Sequence, residues 1–409
     1  MRGHAGGIIG ILATLAFVAL NCLPWRGPGG PQPPVITGAP PGIVLRPVRV
    51  LLLAEAVQTR LAVSGACEVR APDTGQTLER LAFLPEGPVV VTPVGFRMGN
   101  RDYPGGALDL VPLEGALAEV DGGQYRGAIR LIQGPGSTFK VINVVALEPY
   151  LASVINGEMP SHWPAEALKA QAVAARTYAL YQMQQTHRSR AGYDLRADQW
   201  SQVYLGLASE TARSRRLVAD TAGIVLTYQG RLFCTYYSST CGGHTQDGRY
   251  VFADAAIPPL AGVECPYCAG TKYFRWERTM SMADLSGAVN VALAAKGQTV
   301  GEVTGLQVLQ RGPSGHIARL RVLGTAGTIE MTGKAFRHAV GTQRLPSTRF
   351  EVRPAPGGLC FAGGGFGHGV GLCQVGARRA AEAGLDFLQI LQYYYPQSTA
   401  ARVSAGPHT

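Results

Sequence analysis

The sequence predicts an α+β fold, because helical and strand patterns occupy separate stretches instead of alternating. Three observations carry this. Residues 46–147 hold short alternating or apolar runs divided by turn clusters, the pattern of strands. Residues 150–185 hold two helical patterns joined by a short break, the second of them packed with alanine. Residues 282–352 return to strand-like runs. Charged residues make up only 16% of the chain, while glycine and proline number 53 and 27. That composition favours a loop-rich, strand-containing globular protein over a coiled coil or a disordered chain. At 409 residues the chain is long enough for two or three packed cores.

At the N-terminus, Arg2 precedes an apolar run from Ile8 to Leu20, of signal-peptide length and short for a membrane span. Residues 1–23 therefore read as a signal peptide or N-terminal anchor. Ala19-Leu20-Asn21-Cys22 has the outline of a lipoprotein box, so lipidation at Cys22, cleavage and an uncleaved anchor all stay open. The chain is expected to be exported, with membrane contact through this segment alone. Residues 24–45 are rich in Pro and Gly and read as an extended linker. Residues 46–139 form a β-rich scaffold, with strands at Val48–Leu53, Arg60–Val63 and Tyr125–Ile132. Turns at Asp73-Thr74-Gly75 and Asp121-Gly122-Gly123 separate them, and Phe139–Leu147 is a last strand feeding the helices.

The helix pair opens a region over 140–281. Pro149 suits the first position of a helix that stops at Gly157, and a second begins at Pro164 with Glu166 in its first turn. The break between them, Gly157-Glu158-Met159-Pro160-Ser161-His162-Trp163, presents one carboxylate. A glutamate beside Met159 and Trp163 is partly desolvated, which raises its pKa and equips it to donate a proton near neutral pH. A lone Glu-Met-Pro would more often be a solvated loop glutamate. His162 is read as a surface histidine, with sugar binding or orientation of the acid as the alternative.

The longer stretch changes that balance. Tyr150-Leu151, Gly157-Glu158-Met159-Pro160, Trp163-Pro164 and the run from Glu166 to Tyr178 resemble the signature of the stage II sporulation protein D family, which includes the LytB-type amidase enhancers. The resemblance extends from Arg46 to about Gln397. It implies a lytic transglycosylase of peptidoglycan, with a helix pair carrying the catalytic loop, a β-rich scaffold and a small β insert forming a glycan groove. Glu158 stands at the position of the family's catalytic acid. The formal net charge of +10 suits an anionic partner, and no basic helix or aromatic–basic stripe points to nucleic acid. Cell-wall polymer suits an exported chain better.

Further matches follow in chain order. Ser201-Gln202-Val203-Tyr204-Leu205-Gly206 is similar to a family segment that lines the groove, which implies glycan binding by Gln202 and Tyr204; read alone, it is a polar loop entering a helix. Thr221–Leu226 and Arg231–Tyr237 form a hairpin around Gln229-Gly230. Ser238-Ser239-Thr240-Cys241-Gly242-Gly243-His244-Thr245 is a second family signature, and Cys265-Pro266-Tyr267-Cys268 follows. Cys241, His244, Cys265 and Cys268 have the spacing of a structural zinc site, since two loops with two ligands each close a tetrahedron. A disulfide in an oxidising compartment is the alternative. Cys67, Cys234 and Cys360 read as buried small hydrophobes or disulfide partners, and His187, His316 and His338 lack a partner at motif spacing.

The insert at 282–352 carries Gly305–Leu309, a turn at Arg311–Gly315, Ala318–Leu323, Thr328–Met331 and a short helix Gly333–Val340. Residues 353–400 complete the core. Their run from Gly363 to Ala377 is a third signature, in which the family usually has Ser at the Cys373 position and Tyr at the Val375 position. Its glycines would let backbone come close to a bulky ligand, with His368 and Gln374 as polar groups at the mouth of a helix. No βαβ unit or ribose-binding acid supports a dinucleotide loop. Asp386 caps a last helix, Phe387–Tyr395.

Most glycosidases need two carboxyl groups, whereas a lytic transglycosylase manages with one, the sugar being trapped by its own hydroxyl. The three signatures hold no second free acid, Glu166 being explained by the helix start; Asp198 and Asp247 would serve a hydrolase. The expectation is Glu158 as acid then base, with no catalytic cofactor, and Gln202, Tyr204, His368 and Gln374 on the glycan. Lys169 and Arg176 would bind muramyl carboxylates or else form ion pairs. The rival is a non-catalytic wall-binding protein that stimulates an N-acetylmuramoyl-L-alanine amidase. A zinc hydrolase would need an open coordination position.

Overall fold

The computed structural model describes residues 36–37, 46–186 and 191–403. The leader, Cys22, most of the linker and His187 lie outside the described residues. Among those described, no helix is long and apolar enough to cross a membrane.

Helix α1 (Leu147–Glu158) begins two residues before Pro149. A proline in the first turn costs nothing there, because the N–H groups of that turn have no intrahelical partner. The helix runs one residue further than expected, so Glu158 is its last member and Met159, with extended backbone, ends it. Helix α2 (Ala165–Thr186) has no apolar stripe because it is buried on nearly every side. Its alanines at 167, 170, 172, 174, 175 and 179 are wholly inaccessible. Against it pack α1, α3 (Ala212–Asp220), α6 (Gln374–Glu382), α7 (Phe387–Tyr394) and the strand Ile224–Tyr228. Glu166 joins α2 to α7: one oxygen pairs with Lys169 of its own helix (3.0 Å) and the other accepts the Phe387 N–H (3.0 Å).

The scaffold has more strands than the alternation predicts. A seven-stranded sheet runs Leu195–Arg196, Val48–Ala56, Phe139–Val145, Ala128–Gln133, Ala107–Pro112, Cys67–Arg70, Thr77–Leu81. A six-stranded sheet runs Gly123–Tyr125, Ala118–Val120, Thr59–Val63, Leu84–Thr92, Gly95–Met98, Arg101–Pro104. Leu61, Val89 and Phe96 from the second sheet share one apolar cluster with Leu110, Ile129 and Val141 from the first. Leu84–Thr92 is hidden from pattern reading by Pro85, Gly87 and Pro88, and a register shift in its partner between Leu61 and Val63 accommodates them.

The insert expected over 282–352 packs together with the strands that flank it. Trp276–Ser281, Gly358–Gly363 and Phe350–Ala355 form one three-stranded sheet, and Val303–Arg311, Ile317–Gly324 and Gly327–Thr332 another. Trp276, Leu320, Phe336 and Phe361 are members of their common core. Helix α4 (Met282–Ala294) falls where strand signal was expected; Ser281 caps it by accepting the Asp284 N–H, and its valines carry the β-like composition. Helix α5 (Gly333–Val340) has the expected bounds. Asp386 caps α7 in a capping box with Gln389.

Candidate functional site

Glu158 is held by contacts on both sides of it in the chain. Gly157 abuts the Val203 carbonyl so closely that a Cβ would lie 2.4 Å from that oxygen. Only glycine admits this approach, which brings the Val203 N–H to Glu158 Oε1 at 2.8 Å. After Met159, whose side chain is buried, Arg213 from α3 donates to the carbonyls of Ser161 and Trp163, and the Arg378 guanidinium lies 5.5 Å over the Trp163 ring. The loop is thus pinned by α3 and α6. His162 is exposed, as read from the sequence.

The carboxylate opens into a cavity of about 360 Å³. Tyr236, Tyr237, His368 and Gln374 line it from the core, and Lys334, Arg337 and His338 of α5 line it from the insert. Glu158 is the only carboxylate among the lining residues. Burial raises its pKa above the usual carboxylate value, offset in part by hydrogen bonds from the Val203 N–H, the Gln374 amide and Tyr237. Gln374 Nε2 reaches Oε2 at 3.5 Å, a long contact beside the 2.8 Å bond at Oε1. The Tyr237 hydroxyl accepts from Gln202 Nε2 (3.0 Å), so its own proton is free to point at Glu158.

His368 accepts the Val370 N–H at Nδ1 (3.0 Å), which leaves the proton of a neutral ring on Nε2. Burial, with Arg337 and Lys334 nearby, pushes its pKa down to about 3, so the ring is uncharged near neutrality. Lys334 Nζ sits 4.3 Å over the Phe252 ring, which stacks on Tyr236 at 3.9 Å. At the rim, Trp200 of the core stacks on His338 of the insert, with ring centroids 5.1 Å apart.

Three residues expected on the glycan are elsewhere. Gln202 is wholly buried, accepting from the Tyr150 hydroxyl (2.8 Å) and donating to the Ala175 carbonyl (3.2 Å), so it supports Tyr237 from behind. Tyr204 is also buried, with its hydroxyl on Asn143 (2.7 Å) and its ring 5.0 Å from that of Tyr150. Arg176 has no exposed surface; it pairs with Glu148 (2.7 Å) and donates to the Ile224 and Val218 carbonyls. In each case helix packing took a polar side chain that the motif placed near the groove. Asp198 and Asp247 pair with Arg196 and Arg249 and do not line the cavity. Tyr237, Lys334 and Arg337 line the cavity without a sequence signal: none stands in a spacing that marks it, although Tyr237 directly precedes the second signature.

The glycine-rich run approaches the protein's own backbone rather than leaving room for a ligand. A Cβ at Gly371 would lie 1.9 Å from the Tyr236 carbonyl oxygen, and one at Gly365 would lie 2.9 Å from that of Thr240. These contacts lock the loop that carries His368 and Gln374 against the strand Tyr237–Ser238.

The cysteines gather differently from the expectation. Sγ atoms of Cys241, Cys265, Cys268 and Cys373 all lie within 4.8 Å of one another, and all four residues are buried. Cys373, the N-cap of α6, takes the fourth place. His244 is outside this group, its Nδ1 facing the Thr245 carbonyl at 2.6 Å. Long-range folding brings Cys373 in, 105 residues beyond Cys268, a separation that no local spacing rule encodes. Cys67, Cys234 and Cys360 are buried and free.

Comparison with known proteins gives the following. The profile of the family described as Stage II sporulation protein matches residues 136–228, and that of a domain of unknown function matches residues 267–371. The chain is similar to an uncharacterized protein of Brachyspira hyodysenteriae, 33% identical over 276 residues, 68% of this chain and 72% of that one. It is similar to the stage II sporulation protein D of Bacillus amyloliquefaciens, 31% identical over 264 residues, 61% of this chain and 73% of the relative. It is also similar to the amidase enhancer of Bacillus subtilis, 29% identical over 290 residues, 61% of this chain but 40% of the enhancer.

Proposed function

Starting from the fact that the chain belongs to the stage II sporulation protein D family, we propose that it is a lytic transglycosylase of peptidoglycan that acts outside the cytoplasm. One observation carries the reading: the cavity holds a single carboxylate, partly desolvated, with the raised pKa that a general acid needs. An acid–base pair for water-activated hydrolysis would require a second carboxyl group several ångströms away, and Asp198 and Asp247 are engaged elsewhere.

In this reaction Glu158 protonates the glycosidic oxygen and the bond to the muramic acid anomeric carbon breaks. The same carboxylate then accepts the proton of the muramic 6-hydroxyl as that oxygen closes on the anomeric carbon. The product is an anhydro-muramic end, and no water is consumed. Oε1 is committed to the Val203 N–H, so Oε2 is the oxygen that carries the proton. Tyr237 and Gln374 steady the carboxylate between its two roles. His368, neutral and edge-on to Phe252, presents an uncharged ring to the sugar while its ring N–H bonds the Tyr237 backbone, and Lys334 offers a charge for a substrate carboxylate.

Digestion of peptide-stripped glycan strands by the wild type and by Glu158→Gln tests this. Anhydro-ended fragments from the wild type alone support it. Cleavage by neither protein, with binding by both, removes the enzyme claim. A second reading then takes over, favoured by the name of the Bacillus subtilis relative: a wall-binding protein that stimulates an amidase. It is read out as faster amidase turnover that survives Glu158→Gln.

A further inference from the structure

We propose that Cys241, Cys265, Cys268 and Cys373 form a tetrathiolate zinc site that fixes the start of α6, and with it the position of Gln374 beside Glu158. The donor set fits the ion. A tetrahedral zinc with bonds of about 2.3 Å to sulfur places its sulfurs about 3.8 Å apart. The Cys241 and Cys268 sulfurs are 3.6 Å apart, and all four lie within 4.8 Å of one another. The sulfurs also receive the donors that thiolates attract. The N–H groups of Cys241 and Gly376 each approach Cys373 Sγ at 3.3 Å, and the Tyr394 hydroxyl lies 3.1 Å from Cys265 Sγ.

Charge supports the same assignment. Four thiolates around one divalent ion leave a net double negative charge in a buried place, which needs cations nearby. Arg275 and Arg349 both donate to the carbonyl of Gly242, the residue after Cys241. Among the described ion pairs neither guanidinium has a carboxylate partner, so both are available to the cluster. The site is also closed. All four cysteines are buried, and a Cβ at Gly376 would lie 2.1 Å from the Tyr394 hydroxyl oxygen and 2.8 Å from Cys265 Sγ, so the α6 side has no room for a further ligand. The ion would therefore be structural, its binding releasing the thiol protons to solvent without redox change.

The link to the cavity is covalent and short. Cys373 is the N-cap of α6 and Gln374 its first residue, the one whose amide meets Glu158 Oε2. The metal assignment stands on the sulfur geometry and the charges around it, whereas the role of Gln374 rests on the proposed function, and the experiment separates the two. The full chain is purified under reducing conditions without chelator, and its metal content is measured by mass spectrometry. One zinc per chain is expected, lost in Cys373→Ser and kept in His244→Ala. Cobalt in place of zinc should give the charge-transfer and ligand-field bands of a tetrathiolate centre.

Because Cys373→Ser also alters the N-cap of α6, the wild type is titrated with chelator as well: four thiols should become reactive as one zinc leaves. Two disulfides in the isolated protein, four free thiols without metal, or zinc that survives Cys373→Ser but not His244→Ala would each overturn the site. The positioning claim is read by hydrogen exchange. Metal removal should speed exchange at Val375 and Gly376 at least tenfold, and unchanged exchange there would overturn it whatever the activity.

Discussion

The two walls of the cavity are built on different terms. On the core wall, Glu158, Tyr237 and Gln374 are joined to one another and backed by Gln202, Tyr150 and the Ala175 carbonyl, so each polar group has a defined partner. The insert wall presents Lys334, Arg337 and His338 from one eight-residue helix. Arg337 is anchored on the Leu345 and Pro346 carbonyls, while Lys334 has only a long contact to the Val251 carbonyl and a ring beneath it. Close partners fix a proton donor, and a loosely held lysine is suited to attract a charged substrate. On the proposed function, chemistry belongs to the core and recognition to the insert.

The largest effect should come from the core. Glu158→Gln removes the acid, and cleavage of glycan strands should fall roughly 10²–10⁴-fold with binding retained. The same variant has a pH signature in stability. Since burial raises the Glu158 pKa in the folded chain, the protonated form is favoured there, and its contribution to stability is whole below the ordinary carboxylate range. It is lost as pH rises through the raised value. Thermal denaturation should therefore show the melting temperature of Glu158→Gln gaining on the wild type between pH 4 and 8, and a constant difference would mean that Glu158 is solvated.

Behind the core wall, Arg176→Ala should cost about 3 kcal/mol in denaturant unfolding, because it strands buried carbonyl acceptors and opens a cavity. A change in glycan affinity with intact stability would instead restore Arg176 to the groove. The smallest effect belongs to the insert. Lys334→Ala should weaken binding of carboxylate-bearing strands roughly two- to fivefold at low salt, the scale of a part-exposed charge pair. The loss should shrink as salt is added. An equal loss on uncharged oligosaccharides would show that Lys334 shapes the wall without reading charge.

The core wall was the legible one. Glu158, His368 and Gln374 stand in runs whose order survives in the sequence, and the break between α1 and α2 was placed to within one residue. What pattern reading could not do was tell which polar members of those runs face the cavity. Gln202, Tyr204 and Arg176 share the same stretches, yet each satisfies buried partners supplied by other elements. The fourth cysteine shows the same limit. Cys373 differs from the serine expected at its place, but only the tertiary fold brings it to Cys241 and Cys268. The scaffold strands were under-read wherever proline or glycine interrupts alternation, as in Leu84–Thr92, and α4 was missed because its valines mimic strand composition. Lys334 and Arg337 carried no signal, since a lysine and an arginine on a short helix look like any solvated face.

The central claim, one carboxylate and no activated water, is tested most directly by digesting peptide-stripped strands in ¹⁸O-labelled water and weighing the new ends. The account predicts anhydro-muramic termini without heavy oxygen. Reducing termini carrying one ¹⁸O atom would contradict it, because they require a water molecule and a second base that the cavity does not provide.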